Sequence, residues 1–237
     1  IRNRVRENTM KIGINGAFWG QETTGSGQYL HHLWRTLPNV APEGKFVLCT
    51  PSSAHIAPSN GAALGTYRIL STPFDHINEN LAKVWFEQVA YPCACARLHV
   101  DVAHIPYFAS PFWSTAATVV TIHDLIPLLL PAYRGSALVR GYTRMVSRAA
   151  RRAALVLTDS QASARDIQRL LGISAERIRV IYLAAEQSYR PLAPGEWQPV
   201  LEKLGIVRPY LLYLGGFDVR KNLEGLLRAW VRAREDL

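Results

Sequence analysis

Three short stretches combine residue types that can do chemistry at spacings that bring them side by side. The first is Thr23-Thr24-Gly25-Ser26-Gly27-Gln28-Tyr29. Its glycines permit a tight turn and close backbone approach, and the N-terminus of a following helix offers free N–H groups and a positive dipole end to a phosphate. As a dinucleotide fingerprint it is incomplete, because Leu30 stands where a third glycine belongs and Pro51 follows the second strand in place of an acidic ribose ligand. An ordinary strand-to-helix turn has the same composition. The second stretch is Thr121-Ile122-His123-Asp124-Leu125-Ile126-Pro127. His123 can hydrogen-bond a sugar hydroxyl or polarise a reacting group, and Asp124 can orient it or accept hydrogen bonds from a substrate. The plainer reading is a strand-end histidine followed by an aspartate that caps the next turn. A metal-dependent phosphohydrolase would need further His and carboxylate ligands in a helical setting, and none accompanies this pair. The third stretch is Gly215-Gly216-Phe217-Asp218-Val219-Arg220-Lys221-Asn222. Cations at a helix start oppose the positive end of its dipole. A diphosphate over the turn makes that placement tolerable, with Arg220 giving forked hydrogen bonds and Lys221 a point charge. A solvated pair with Asn222 as cap is the alternative.

Something must hold these stretches in place. Short β-branched runs at residues 11–15, 46–50, 67–70, 102–105, 117–122, 155–159 and 178–183 alternate with helical stretches at 27–37, 80–96, 136–154 and 161–171. Near-continuous apolar strands spaced by helices predict an α/β fold, a Rossmann-like parallel sheet covered by helices on both faces. The helix at 161–171 starts at Ser160 or Ser163 and stops at Gly172. His123 then falls at the carboxyl end of a central strand, where such sheets place ligand-binding residues. Prolines at 191, 194, 199 and 209 suggest a linker over residues 191–208 with one short helical piece near 200–204. A second, incomplete unit is expected over 209–237: a buried strand at Tyr210–Leu214 running into the glycine turn, then an amphipathic helix at 222–233. Residues 10–190 form the first domain in this reading, and residues 1–9, ahead of Met10, an extension without structure.

Composition narrows the class. With 237 residues, 49% hydrophobic and 19% charged, the chain can bury a full core. No apolar run approaches the about 18 residues needed to cross a bilayer, and the polar start Ile1-Arg2-Asn3-Arg4 lacks a signal-peptide apolar region, so a cytoplasmic location is expected. Cys49, Cys93 and Cys95 have neither disulfide-framework nor zinc spacing and are expected to act as small buried hydrophobes. The net charge of +9 favours anionic partners.

Taken together, Lys11-Ile12-Gly13-Ile14-Asn15, Thr24 to Tyr29, Trp85-Phe86-Glu87-Gln88, Thr121 to Pro127, Thr158-Asp159-Ser160-Gln161-Ala162-Ser163 and Gly215 to Asn222 occur in an order and spacing that resembles the family-four retaining glycosyltransferases, most of all bacterial mannosyltransferase-like members. The resemblance spans Met10 to the end. It implies two Rossmann-like domains, the first taking mainly the acceptor and the second mainly a nucleotide-diphosphate sugar. Gly25 and Gly27, with Ser26 between them, would approach donor phosphates or acceptor, His123 and Asp124 would serve the transferred sugar, and Arg220 and Lys221 would neutralise the diphosphate. A hydroxyl would be glycosylated with retention through an oxocarbenium-like transition state, without a required metal or other cofactor, in glycan or glycolipid assembly. Mannose is the sugar suggested. The family's pair of glutamates with seven residues between them belongs beyond Leu237, so this chain alone is expected to bind donor weakly and turn over little. Glu79 and Glu87 share that spacing, yet Glu87 is expected to make a structural hydrogen bond.

One helix adds a partner question. Arg140, Arg144 and Arg148, continued by Arg151 or Arg152, recur at three or four residues with apolar residues interleaved. The stripe suits anionic headgroups and a lipid-linked acceptor, or is simply a solvated face. Nucleic-acid binding would also account for the basicity, but no recognition motif accompanies it. A non-catalytic nucleotide- or carbohydrate-binding module on the same fold is the other alternative.

Overall fold

Along β2 (Lys45–Pro51) alternate side chains enter different cores: Val47 and Cys49 join one apolar cluster, Phe46 and Leu48 the other. A strand buried on both faces has to lie inside a sheet with helices above and below it. The computed structural model describes residues 9–54, 65–186, 188–207 and 209–234 and has this architecture. Seven strands, β1 (Lys11–Asn15), β2, β3 (Thr66–Leu70), β4 (Val102–Ile105), β5 (Ala117–Thr121), β6 (Leu155–Thr158) and β7 (Ile178–Val180), form one sheet in the order β3-β2-β1-β4-β5-β6-β7. Every neighbouring pair is parallel. The expected α/β, Rossmann-like class is therefore the observed one, and each expected strand of this sheet forms, although β7 is shorter than its apolar run.

The chain leaves β1 toward β2 and β3, whereas β4 pairs with the opposite side of β1. This reversal opens a crevice at the carboxyl ends of the strands, the usual ligand position in open parallel sheets. α1 (Gly25–Val40) covers one face, burying Leu30 and Trp34 against Ile14 and Leu48. The Trp34 indole donates to Tyr67 on β3 at 2.8 Å, which satisfies its N–H inside the apolar layer. On the other face Phe86, Tyr91, Ile105, Val120, Ile122 and Ile167 belong to the larger cluster.

The helix expected over 80–96 is a continuous helical run with a wide turn in it: α2 (Glu79–Trp85), a π-turn at Phe86–Ala90, then α3 (Tyr91–Arg97). Pro92 explains the turn. It has no N–H to continue the α ladder and in a regular α-helix its ring would crowd the carbonyl four residues back, that of Gln88, and the Tyr91 N–H instead reaches back to Phe86. Beyond the short α4 (Ile126–Leu129), α5 (Ala137–Ala150) is capped by Ser136. α6 (Gln161–Asp166) is capped by Ser160 and runs through a second π-turn to Gly172, which takes the left-handed φ of 64° that ends the helix. Cys49 and Cys95 are core residues, Cys93 is half-buried, and all three thiols are free. Burial raises the thiol pKa of Cys49 to about 12 and that of Cys95 to about 11. Among the described residues no helix is long and apolar enough to cross a membrane.

The chain divides into two units, residues 1–183 and 184–237, and of the expected N-terminal extension residues 1–8 lie outside the described residues. In the second unit α7 (Pro194–Leu204) is longer than the piece expected at 200–204. Pro194 suits its first turn, Glu196 accepts the Ala193 N–H at 3.0 Å, and Gly205 at φ 65° closes it. α8 (Leu223–Ala233) forms as expected. The strand expected at Tyr210–Leu214 does not: the segment joins no ladder, and Leu212 and Leu214 are 67% and 84% exposed. Its apolar residues lack what makes a run into a strand, a neighbour to take its backbone hydrogen bonds.

Candidate active site

Parallel pairing decides which side chains meet at the carboxyl edge. β5 and β6 pair Thr121 with Leu157, so two residues further along His123 and Asp159 leave their strands side by side. The His123 Nδ1 lies 2.6 Å from Asp159 Oδ2 and its Nε2 3.3 Å from the Pro106 carbonyl at the end of β4. Ser163 in α6 donates to the His123 carbonyl at 2.8 Å, which fixes the backbone beneath the ring. Both ring partners are acceptors, so the imidazole is oriented from two sides while a quarter of the side chain remains accessible. Asp124 does not orient it. Its carboxylate is exposed and accepts the N–H of Ile126, the first residue of α4, at 3.1 Å. The orienting carboxylate is Asp159, which stood in the sequence at the end of the adjacent strand within Thr158-Asp159-Ser160.

Tyr29 completes this cluster. Its ring stands edge-on to His123, centroids 4.8 Å apart at 79°. Burial raises the phenol pKa, offset in part by a hydrogen bond to Thr121, with nearby Asp159 adding to the rise. Thr121 also meets the buried His104 Nε2 at 3.1 Å, and burial lowers that imidazole's pKa to about 4. A buried chain of contacts, His104 to Thr121 to Tyr29, thus supports one face of His123.

Gly25, Ser26 and Gly27 form the first turn of α1, one turn ahead of Tyr29, so the first and second sequence stretches do meet. Thr24 caps the helix by accepting the Gly27 N–H at 3.1 Å, and Thr24 in turn donates to the Gln21 carbonyl through both its N–H and its hydroxyl. A Cβ on Gly27 would lie 2.0 Å from that Gln21 oxygen, whereas one on Gly25 would meet nothing within 4 Å. Gly27 is therefore demanded by the chain's own turn, and only Gly25 leaves an open approach to the helix end.

Beneath the edge lies a buried polar network. Glu87, in the π-turn, has no exposure. It accepts from Tyr107 at 2.9 Å and from Tyr142 at 2.7 Å, and Lys83 Nζ lies 3.7 Å away. Burial pushes its carboxyl up against the opposing pull of Lys83 and the two phenols. Tyr107 also reaches Asn15 Oδ1 at 3.2 Å. The structural hydrogen bond expected of Glu87 is thus present, and a carboxylate so enclosed cannot touch a substrate.

In the second unit Arg220 and Lys221 lie in a single 3-10 turn, Val219–Lys221, ahead of the Asn222 that caps α8 by accepting the Gly225 N–H. Asp218 accepts the Arg220 N–H at 3.0 Å and stands 3.4 Å from its Nε. The dipole conflict inferred from the sequence is softened in this way: the cations precede the cap, and a carboxylate shares their turn. Arg140, Arg144 and Arg148 are exposed along one face of α5, with buried Thr143 and Ser147 beside them and buried Val146 on the far side. Among the described residues no group of three His, Cys, Asp or Glu could hold a metal ion.

Known proteins share both pattern and fold. O-antigen chain mannosyltransferase B of Escherichia coli is 35% identical over 130 residues, 54% of this chain and 34% of the relative, so the chain spans about a third of that protein's length. Sucrose-phosphate synthase from Thermosynechococcus elongatus matches at a TM-score of 0.64 with 15% identity, covering 94% of this chain and 60% of that one. The Anabaena protein HepE, in complex with UDP and glucose, matches at 0.51 with 17% identity, over 83% of this chain and 50% of its own. At these identities the structures speak for the fold alone. The model of Glycosyltransferase Family 4 matches residues 23–186, from the glycine turn through the His123 and Asp159 edge, and the chain belongs to that family.

Proposed function

We propose that this chain serves the transfer of a sugar from a nucleotide-diphosphate donor to an acceptor hydroxyl in glycan assembly. The observation that carries the reading is the His123 and Asp159 pair, buttressed by Tyr29 at the carboxyl edge of a family-four sheet. With Nδ1 held at 2.6 Å on Asp159 the ring is oriented in advance, and Nε2 can exchange its longer 3.3 Å contact with the Pro106 carbonyl for a sugar hydroxyl, so the orientation costs nothing at the moment of reaction. In the transfer the acceptor oxygen bonds the anomeric carbon as the carbon–oxygen bond to the diphosphate breaks, and the hydroxyl proton leaves with the products. Retention of configuration follows from the family resemblance. Arg220 and Lys221 would offset the charge that grows on the diphosphate. Mannose is the proposed sugar, on the strength of the E. coli relative's name, and HepE's complex with UDP supports a nucleotide-sugar donor.

Binding tests this directly. In calorimetric titrations of GDP-mannose, GDP, UDP-glucose and UDP, GDP-mannose should bind more tightly than bare GDP, and His123→Ala should abolish that advantage while sparing GDP. Equal affinity for sugar nucleotide and bare nucleotide in the unaltered chain defeats the proposal. The acceptor is proposed to be lipid-linked, with the α5 arginines meeting anionic headgroups from the cytoplasmic side. Co-sedimentation with phosphatidylglycerol vesicles should fall in Arg140→Glu/Arg144→Glu/Arg148→Glu, and unchanged partitioning removes that contact.

A further inference from the structure

Two consecutive side chains of the first π-turn, Glu87 and Gln88, grip one loop, the segment that joins β4 to β5. Glu87 accepts the Tyr107 hydroxyl at 2.9 Å. Gln88 donates to the Ser110 carbonyl at 3.3 Å and accepts the Phe112 N–H at 3.0 Å. Tyr107 directly follows Pro106, whose carbonyl meets His123 Nε2. The Tyr107 ring also stands edge-on to Phe18 in the β1–α1 loop, centroids 4.8 Å apart at 76°. Phe18 accepts the Gln21 N–H at 3.2 Å, and the Gln21 carbonyl in turn anchors the Thr24 cap of α1. A single buried phenol thus connects the support of the imidazole with the support of the glycine turn. We infer that Tyr107, anchored by Glu87, is a positioning residue of the transfer site: it sets the Pro106 carbonyl against His123 and holds that edge in register with the β1–α1 loop. The inference rests on the transferase reading above.

Directionality argues for that role. Tyr107 carries one hydroxyl proton and has two acceptors in reach, Glu87 Oε1 at 2.9 Å and Asn15 Oδ1 at 3.2 Å. The carboxylate makes the shorter contact, and Asn15 Oδ1 has a donor of its own in the Ala17 N–H at 3.1 Å. The other carboxylate oxygen is fixed by Tyr142 from α5 at 2.7 Å. Glu87 is therefore oriented by one element and presents its second oxygen to another. Apolar side chains of similar volume would fill the same space without the cost of burying a carboxylate. They would also leave the phenol free to slide, because packing has no direction and a hydrogen bond has one. Binding groups have to be held to within about 0.5 Å of their working geometry, which is what supporting hydrogen bonds provide. Single π-turns within helices gather at functional sites, and this one carries both side chains that hold the loop. Glu87 and Tyr107 are 0% and 5% exposed, so their effect on a sugar passes through His123.

Two hydroxyls on the same carboxylate supply the control. Tyr107→Phe and Tyr142→Phe each delete one bond to Glu87, and only Tyr107 adjoins Pro106. In the 237-residue chain the His123 ring is followed by the NMR resonance of its Cε1–H, assigned by its disappearance in His123→Ala. That resonance should move in Tyr107→Phe and stay in place in Tyr142→Phe. In calorimetry Tyr107→Phe should cut the advantage of GDP-mannose over bare GDP by about fivefold, the scale of one lost hydrogen bond, and leave GDP itself unchanged. Tyr142→Phe should bind both ligands as the original chain does. A hydroxyl that served stability alone would make the two variants alike in every readout. Equal effects of the two variants, an unmoved His123 resonance in Tyr107→Phe, or an undiminished GDP-mannose advantage there overturns the inference. If Tyr107→Phe does not fold, Gln88→Ala takes its place, since it loosens the same loop from a half-buried position; an unmoved resonance in that variant overturns the inference as well. The two readings fail separately. Without a GDP-mannose advantage in the original chain the transferase reading falls and takes the task assigned to Tyr107 with it. With that advantage present and His123-dependent, failure of the variants removes this inference alone.

Discussion

Ala117–Thr121 and Tyr210–Leu214 are both five-residue runs, rich in apolar side chains, that lead into a stretch with candidate functional residues, and they end in opposite conditions. The first lies in the middle of a sheet, its backbone bonded to β4 on one side and β6 on the other, with Val120 fully buried. The second joins no ladder, and Leu212 is two-thirds exposed. The contrast teaches that apolar content proposes a strand and partners make it, because the backbone groups on each edge must be satisfied before side-chain burial can stabilise anything. It also separates the two candidate binding regions. His123 inherits its position from three neighbouring strands, whereas Arg220 takes its position from a local turn and one aspartate.

The harshest way to challenge that contrast is to remove one carboxylate from each unit. Glu87→Ala leaves the Tyr107 and Tyr142 hydroxyls without their acceptor and opens a hole in the core, at a cost of about 4 kcal/mol. Glu224→Ala removes an exposed pairing with Arg228 and should cost no more than about 0.5 kcal/mol. Urea denaturation compares them, and similar losses would erase the distinction. The sign with pH sharpens the first half. Because burial raises the Glu87 carboxyl, its contribution is complete below the ordinary carboxylate range and is lost as pH rises through the raised value. Glu87→Gln should therefore gain on the original chain as pH rises, and a gap that widens instead would show the carboxylate to be stabilised by its partners.

A smaller effect is expected from His104. Its imidazole is depressed from 6.5 to about 4, so the folded state refuses a proton that the unfolded chain accepts. The stability this group supports is present above pH 6.5 and drains away as pH falls to about 4. It amounts to about 3 kcal/mol, at 1.36 kcal/mol for each unit of depression. Melting temperatures followed by circular dichroism from pH 7 to 4 should drop less in His104→Gln than in the original chain. Parallel curves would mean that burial of this histidine carries no pH dependence. All seven histidines precede residue 184, so this acid-sensitive term belongs wholly to the first unit.

What the sequence made legible follows the same division. β-branched runs announced all seven paired strands, Ser160 and Ser163 marked the α6 start, which Ser160 caps, and Gly172 marked its end, because those signals are local. Asp159 stayed hidden behind Asp124, since adjacency in sequence is easily mistaken for adjacency in space. Only the β5–β6 register shows that residue 123 faces residue 159. Tyr29 was visible in its motif but not its contact with His123, which depends on where α1 begins. The π-turn at Phe86–Ala90 had a visible cause in Pro92, whose missing N–H was a sufficient warning. Gly27 was correctly singled out for close approach, yet the group that approaches is the Gln21 carbonyl of its own loop.

The gentlest probe returns to the two runs themselves. Val120 is wholly enclosed between helical layers, so Val120→Ala deletes two methyl groups from a site that cannot collapse around the gap, costing about 2 kcal/mol in urea midpoint analysis. Leu212→Ala deletes more carbon from a side chain that is already two-thirds exposed, and should change stability by less than about 0.5 kcal/mol. The larger truncation is thus expected to do the lesser harm, an inversion that hydrophobicity alone cannot produce and that burial requires. Should Leu212→Ala cost as much as Val120→Ala, Tyr210–Leu214 would be a packed strand, and the turn bearing Arg220 and Lys221 would be held as firmly as the edge that carries His123.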